Sequence, residues 1–340
     1  MNDGKPRNNK ERLRESIAES KARANNKRLY GLLGYPVAHS LSAVMHNAAF
    51  AALGIDAEYR LFEIKPEDLK EFLTNQILQN SSIKDIEGNS VATKDIYGFN
   101  ITIPHKLRAR HILEEKFPPR YDTKLIHVDL YYVKISGAVN TVKKNGDKLE
   151  YYNTDAPGFL QSLENDLRFV TKDQKVFLMG CGGAGRAIIA SLSWRQAQVN
   201  KIYILEVNNE AVASTKEYFS RLPNYYRRFC EDKLQFISEE EKSEVIKDCS
   251  LLINATPVGM KNTDPCLVSE EMLRKDLFVY DVIYNPPETK LLAHAKKAGC
   301  GTSNGVGMLL NQGMLAFEIW TGQKAPVEVM RKALREATSK

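Results

Sequence analysis

The stretch that most constrains this chain runs from Lys175 to Glu206. Lys175-Val-Phe-Leu-Met179 is a continuous apolar run, the pattern of a strand buried on both faces of a parallel sheet. Gly180-Cys181-Gly182-Gly183-Ala184-Gly185 follows at once, then a helical run through Ala187, Ile188, Ile189 and Leu192. A second apolar strand, Lys201 to Leu205, ends in Glu206. A Gly-x-Gly-x-x-Gly alone says little. Set between a buried strand and a helix, with an acid about 20 residues on, it is the fingerprint of a dinucleotide-binding βαβ unit. Glycines let backbone N–H groups approach a pyrophosphate, and the helix N-terminus stabilises its charge. A carboxylate at Glu206 accepts hydrogen bonds from both ribose hydroxyls of NAD and repels the 2′-phosphate of NADP. The expectation is therefore NAD, with NADP as the alternative should Arg186, Lys216 or Arg221 reach the phosphate.

Similar units continue downstream. Ser250 to Asn254 and Phe278 to Ile283 read as buried strands, leading into loops at Ala255–Gly259 and Tyr284–Pro287. Lys290 to Ala298 reads as a helix closed by Gly299, and Met308 to Thr321 as another, with Gln312 on its second turn. Ligands bind in an open α/β sheet at the carboxyl ends of its strands, where these loops lie.

The first half carries a different signal. Gly98-Phe-Asn-Ile-Thr-Ile-Pro-His-Lys106 reads as a strand over Phe99–Ile103, with Asn100 and Thr102 on one face. Pro104 ends it, because proline has no N–H for the ladder, and Lys106 projects where a helix should begin. On this stretch alone, a solvated edge lysine and a catalytic one are equally good readings. Upstream, Tyr30 to Leu33 reads as a strand ending at Gly34-Tyr35-Pro36. His39-Ser40-Leu41-Ser42 then precedes a helix through Met45, Ala48, Ala49 and Ala52. Ser40 and Ser42 are either helix caps or an anion site. Ala57 to Ile64 reads as a second strand, and Lys65-Pro66-Glu67-Asp68 starts a helix. Residues 79–95 look like an irregular surface insertion, and 116–134 has no clear pattern. Val139 to Lys143 and Lys148 to Tyr152 flank Asn145-Gly146, a hairpin signal. Asp155 then precedes a helix from Pro157 to Leu167 that it could cap.

Bulk properties exclude several classes. A chain of 340 residues suggests about two domains. Residues 1–28 hold nine Lys/Arg and four Asp/Glu, whereas the remainder holds 39 and 38. Five of the six net positive charges thus lie in the leader, and the body has no basic excess for nucleic acid. The leader reads as a disordered arm, although Lys10–Ala24 has the spacing of a charged helix. No apolar run approaches the roughly 18 residues of a membrane span, and no secretory signal is present. Five scattered cysteines without Cys-x-x-Cys fit reduced thiols in a cytoplasmic protein, and no metal-ligand spacing occurs. Gly301-Thr-Ser303-Asn-Gly305 matches a nucleophile elbow but follows a charged helix, and no histidine lies beyond His294. No Tyr-x-x-x-Lys pair occurs.

Taken together, the segments resemble the shikimate dehydrogenase family, most closely its quinate/shikimate branch. The matching runs are Gly34–Ser42, Asn100–Lys106, Gly137-Ala-Val-Asn-Thr141, Asn153-Thr-Asp155, Gly180–Ala184, Asn254-Ala-Thr256, Tyr280–Tyr284 and Gly305–Gln312. They stand in the family's order across about residues 30–325. The resemblance implies an α/β fold of two domains. An N-terminal substrate domain with a mostly parallel sheet would span 29–156 and regain 306–340, and a Rossmann-like domain would span 157–305. It implies reversible reduction of 3-dehydroshikimate to shikimate in a monomer or homodimer. Ser40, Ser42 and Tyr284 would hold the substrate carboxylate, and Thr102, Asn140 and Gln312 the ring hydroxyls. Lys106 and Asp155 would sit at the reacting oxygen. Gly180, Cys181, Gly182, Gly183 and Ala184 would cradle the pyrophosphate, Glu206 the ribose, and Thr256, Val282 and Gly305 the nicotinamide. Common members carry an Asn-Arg-Thr-like run for NADP where this chain has Glu206-Val-Asn, which again points to NAD. Quinate use stays open, since Ser42 argues against it. An aminoshikimate-type dehydrogenase and a non-catalytic dinucleotide or quinate sensor are the competing readings.

Overall fold

The structure, a computed structural model, describes residues 27–118, 128–194 and 197–338. The expected helix at Lys10–Ala24, nearly all of the expected arm, and much of the patternless stretch lie outside these residues.

In chain order, β1 (Arg28–Gly34), α1 (Ser42–Ala52) and β2 (Ala57–Glu63) form a first parallel crossover. A short helical turn, Leu69–Gln76 in two pieces, replaces the regular helix expected after Pro66. The supposed irregular insertion contains a hairpin, β3 (Ser82–Lys84) and β4 (Ser90–Ala92). Asp85 makes that hairpin regular: its carboxylate accepts from the backbone N–H groups of Glu87 and Asn89 and closes the turn. Next come β5 (Ile96–Ile101), α2 (Lys106–Lys116) and α3 (Val128–Ser136). β5 stops two residues before the expected end, because Thr102–His105 forms a turn in which His105 N–H donates to the Thr102 carbonyl at 2.9 Å. The hairpin β6 (Thr141–Asn145) and β7 (Lys148–Tyr152) turns at Asn145-Gly146, with Gly146 at φ +61°. The first sheet has the order β2-β1-β5-β6-β7, parallel about β1 and antiparallel from β5 on.

α4 (Asp155–Leu167) leads to the second sheet. There β8 (Lys175–Met179), α5 (Gly183–Ser193), β9 (Lys201–Leu205), α6 (Asn209–Ser220) and β10 (Leu234–Phe236) make one half. α7 (Lys242–Asp248), β11 (Leu251–Asn254), β12 (Phe278–Asp281), α8 (Lys290–Lys297) and β13 (Gly301–Ser303) make the other. The order β10-β9-β8-β11-β12-β13, parallel throughout, is the doubly wound arrangement whose ligand crevice opens where the order reverses, beside β8. Val176 to Leu178, Ile202, Ile204 and Leu251 to Ile253 are all buried, as central strands of such a sheet must be. Ser303 of the false nucleophile elbow lies on the edge strand β13.

α9 (Val306–Thr321) and α10 (Val327–Thr338) return to the first sheet. Leu310, Phe317 and Trp320 of α9 and Met330 and Leu334 of α10 share one core with Tyr30, Met45, Phe50 and Tyr59. α3 packs the opposite way: Tyr131, Tyr132 and Ile135 join the core of the second sheet, against Ile188 and Trp194. Two helices thus knit the two α/β layers, α3 with Tyr131 in the second core and Val133 in the first, and α9 with Met308 in the second and Leu310 in the first; the strand ends face one cleft.

Candidate active site

The cleft contains a cavity of about 150 Å³, room for a single ring-sized molecule. Ser40, Ser42, Asn100, Thr102, Lys106, Asn140, Asp155, Tyr284 and Gln312 supply its polar lining. Ala184, Val282 and Gly305 line the side toward the second sheet. Lys106 and Asp155 are the only charged residues among those that line it.

Lys106 is the first residue of α2, and its Nζ donates to Asp155 Oδ2 at 2.6 Å. The side chains are 13% and 6% exposed, so the pair is almost out of water. Burying such a pair rarely adds stability, because desolvation offsets the attraction. Its neighbours hold it in register. Asn140 Nδ2 donates to Asp155 Oδ1 at 2.8 Å and to Thr154 Oγ1 at 2.9 Å, while Asn140 Oδ1 accepts from Thr154 N–H at 2.7 Å. The lysine backbone is tied to the same loop, since Val139 N–H donates to the Lys106 carbonyl at 3.0 Å. Asp155 therefore does not cap α4, the alternative its position allowed. Asn153 Oδ1 instead accepts from Ala156 N–H at 3.0 Å, which frees the aspartate for the lysine.

Nor do the serines cap α1 in the usual way, for the cap position is Leu41. Ser40 Oγ donates to Ser42 Oγ at 3.2 Å and accepts from Ser42 N–H at 3.3 Å. Tyr284 of the second half lines the same cavity as Ser40 and Ser42; burial pushes its phenol above the usual range, so it stays neutral. Three hydroxyls thus gather at one end of the cavity, and Lys106 and Asp155 lie on its wall. Gln312 donates to its own helix at Leu309 O, 2.8 Å, which leaves its carbonyl oxygen and second N–H for a ligand.

Across the cleft, the glycine turn is built from backbone. Gly180 has φ +92°, and a Cβ on Gly185 would collide with the Gly180 carbonyl, so α5 can rise directly from β8. Gly182 faces open space, with nothing within 4 Å of where its Cβ would lie. The N-terminal N–H groups of α5 have no side-chain cap there, a donor set suited to a pyrophosphate. Gly183 links the two halves: the Lys106 stem passes 3.1 Å from the position of its missing Cβ. Glu206 stands beside the turn, its Oε2 accepting from Cys181 N–H at 3.1 Å and its Oε1 from Asn208 N–H at 3.0 Å. The three cations weighed for a 2′-phosphate are engaged elsewhere. Arg186 is buried and donates to Thr215 at 2.9 Å, Arg221 pairs with Glu217 at 2.7 Å, and Lys216 lies over the Phe236 ring. Thr256 packs on Gly180 through its methyl, and its hydroxyl donates to Asn254 Oδ1 at 2.7 Å.

Three further residues, Asn100, Tyr59 and Asp281, support the site from buried positions. Asn100 and Tyr59 form a buried pair, the Tyr59 hydroxyl donating to Asn100 Oδ1 at 2.8 Å. Asp281, fully buried, accepts from Ile283 N–H, Thr289 Oγ1 and Asn254 Nδ2, and so fixes the loop carrying Val282 and Tyr284. Burial pushes its carboxyl up to about 6. A polar residue in an otherwise apolar strand was the available signal for both Asn100 and Asp281.

A doubly wound sheet with a glycine turn, facing a buried lysine–aspartate pair, defines a nicotinamide-dependent oxidoreductase. Comparison with known proteins narrows the class. A model of the shikimate dehydrogenase substrate binding domain matches residues 32–118, and one of the shikimate 5′-dehydrogenase C-terminal domain matches 305–335. The shikimate dehydrogenase (NADP(+)) of Methanopyrus kandleri is 38% identical over 90% of this chain and 94% of its own. Among solved structures, a shikimate dehydrogenase in complex with NADP+ is 35% identical with a TM-score of 0.72, over 93% of this chain and 97% of its own. The Listeria monocytogenes enzyme, in complex with shikimate and NAD, is 30% identical with a TM-score of 0.71, over 91% and 96%. A Corynebacterium glutamicum quinate dehydrogenase in complex with NAD is 26% identical with a TM-score of 0.71, over 91% and 99%. The chain belongs to the shikimate dehydrogenase family. Among the described residues no helix is long and apolar enough to cross a membrane.

Proposed function

We propose that this protein interconverts 3-dehydroshikimate and shikimate and prefers NAD to NADP. The observation that carries the reaction is the Lys106–Asp155 pair on the wall of a ring-sized cavity. Ser40, Ser42 and Tyr284 hold the substrate carboxylate, and Thr102, Asn140 and Gln312 hold ring hydroxyls. Asn140 does this by yielding a partner, because its N–H groups go to Thr154 and Asp155 and its oxygen accepts from Thr154 N–H and, more weakly, from Thr141 Oγ1 at 3.4 Å. The substrate half is residues 29–156 and 306–340, and the cofactor half is 157–305.

Gly180–Ala184, Glu206, Thr256, Val282 and Gly305 would hold a nicotinamide dinucleotide, which would supply the hydride. The chain's own residues manage the proton. When a ketone carbon accepts hydride its oxygen becomes negative, and the Lys106 ammonium stabilises that charge and delivers its proton to the oxygen. In the oxidative direction the neutral amine takes the proton back. Asp155 orients the ammonium and accepts from a neighbouring substrate hydroxyl.

Support for NAD comes from Glu206, whose carboxylate is pinned at the turn, and from the engagement of Arg186, Arg221 and Lys216 elsewhere. The relatives named for NADP(+) make this the sharpest point to test. NADH and NADPH formation should be compared with shikimate, quinate and aminoshikimate side by side. Shikimate with NAD+ is expected to give the highest kcat/KM. A preference for NADP+ contradicts the role of Glu206, and a preference for either other ring acid contradicts the substrate. All five cysteines are free thiols, as suits a reducing, cytoplasmic setting.

A further inference from the structure

Outside the cavity, the two halves of the molecule also meet at Tyr218. This residue stands in the last turn of α6, in the cofactor half, and its ring is pressed against the substrate half. A Cβ on Gly137 would lie 2.7 Å from Tyr218 Cζ, so the ring occupies the space that a side chain there would need. Gly137 has φ +65°, a conformation that glycine adopts without strain. The Tyr218 hydroxyl donates to the Lys134 carbonyl in the last turn of α3.

Two guanidinium groups lie over this ring, that of Arg110 at 5.7 Å and that of Arg186 at 5.2 Å from its centroid. Arg110 follows Lys106 by four residues on α2, so the two share a helix face. Arg186 is the fourth residue of α5, just past the glycine turn, and its backbone N–H donates to the Gly182 carbonyl at 2.8 Å. Its side chain is buried, with Nη2 donating to Thr215 Oγ1 at 2.9 Å and Nε without a hydrogen-bond partner. The negative face of the Tyr218 ring therefore offsets part of a charge taken out of water. One tyrosine thus touches the helix that carries Lys106 and the helix that rises from the dinucleotide turn.

Gly137 also opens the segment that holds Lys106 and Asp155 in place. Val139 N–H donates to the Lys106 carbonyl at 3.0 Å, and Asn140 Nδ2 donates to Asp155 Oδ1 at 2.8 Å. We propose that Tyr218 is a positioning residue, a wedge from the cofactor half that fixes Gly137–Asn140 and the Lys106 helix in register with the dinucleotide turn. This inference rests on the proposed shikimate reaction.

The test follows single turnovers of the wild type, Tyr218→Phe and Tyr218→Ala, each saturated with NAD+ and mixed with saturating shikimate. The rate constant of NADH formation is then independent of how much of the protein is active, whereas the amplitude reports that fraction. In Tyr218→Ala the rate constant should fall about 30-fold, the scale of a misplacement short of 1 Å between the reacting groups. Tyr218→Phe keeps the ring under both guanidinium groups and should lose about threefold, the scale of one neutral hydrogen bond. NAD+ affinity, read by titration, should stay within about twofold of wild type, because the glycine turn and its helix N-terminus are untouched. A purely structural role would lower the amplitude or the melting temperature and leave the rate constant alone. An unchanged rate constant, or a loss of NAD+ affinity as large as the loss of rate, would overturn the role of Tyr218 and leave the shikimate reaction standing. No wild-type turnover of shikimate would overturn both.

Discussion

The two walls of the cleft are made of different material. The wall toward the first sheet works through side chains: hydroxyls, amides, a lysine and an aspartate, each aimed by another buried side chain. The wall toward the second sheet works largely through backbone, with the Gly180–Gly185 turn and the bare N-terminus of α5 as its donors. A backbone site depends on where side chains are missing, and a local run of sequence can specify that. A side-chain site depends on partners far apart in the chain, such as Lys106 and Asp155, 49 residues apart. The first wall should therefore fail by losing individual functions, and the second by losing room.

Three substitutions probe that contrast, in decreasing order of effect. Gly185→Val puts a branched side chain against the Gly180 carbonyl and lifts α5 from β8. At an overpacking cost of ~2–3 kcal/mol, NAD affinity by titration should weaken by roughly 100-fold; unchanged affinity would show that the turn is not the cradle. Glu206→Ser removes the carboxylate proposed to face the ribose. The ratio of kcat/KM for NADP+ over NAD+ should then rise by about 10-fold, as expected for losing one repulsive charge in a half-exposed site. A constant ratio would mean selectivity lies elsewhere.

The smallest effect concerns His46, whose buried ring stacks on Tyr59 and whose nitrogens have no hydrogen-bond partner. Burial lowers the His46 pKa to about 3, from 6.5. Well above pH 6.5 the imidazole is neutral both folded and unfolded and contributes no pH dependence. Below 6.5 the unfolded chain takes up a proton that the folded chain refuses, so stability falls as the pH falls toward 3. The loss should be roughly 1 kcal/mol by pH 6. His46→Leu, which abandons no hydrogen bond, should flatten the melting temperature between pH 7 and 5. An identical acid slope in the variant would mean that other groups set it.

The same contrast explains what could be read from the sequence. Buried strands, glycine turn and terminal acid stand in one continuous segment, and the second sheet follows their order. The hairpin at Asn145-Gly146 and the helix starting at Lys106 were likewise local signals. Asp155 was ambiguous because an acid before a helix looks like a cap; only its distance to Lys106 distinguishes the two. Asp85, which organises the turn between β3 and β4, was hidden in a polar stretch that lacks any apolar period. Tyr59 looked like an ordinary strand aromatic, since its hydrogen bond to Asn100 joins residues 41 apart in the chain.

The most direct test of this account is Lys106→Ala, measured for turnover and for cofactor binding on the same preparation. The alanine removes the proposed proton donor on the side-chain wall and adds nothing against the backbone wall. Turnover of shikimate with NAD+ should fall by roughly 10²–10⁴, the scale of a lost general acid, while the NAD dissociation constant stays within about twofold of wild type. Turnover near the wild-type rate would contradict the assignment of Lys106, and with it the claim that the chemistry of this protein resides on the side-chain wall.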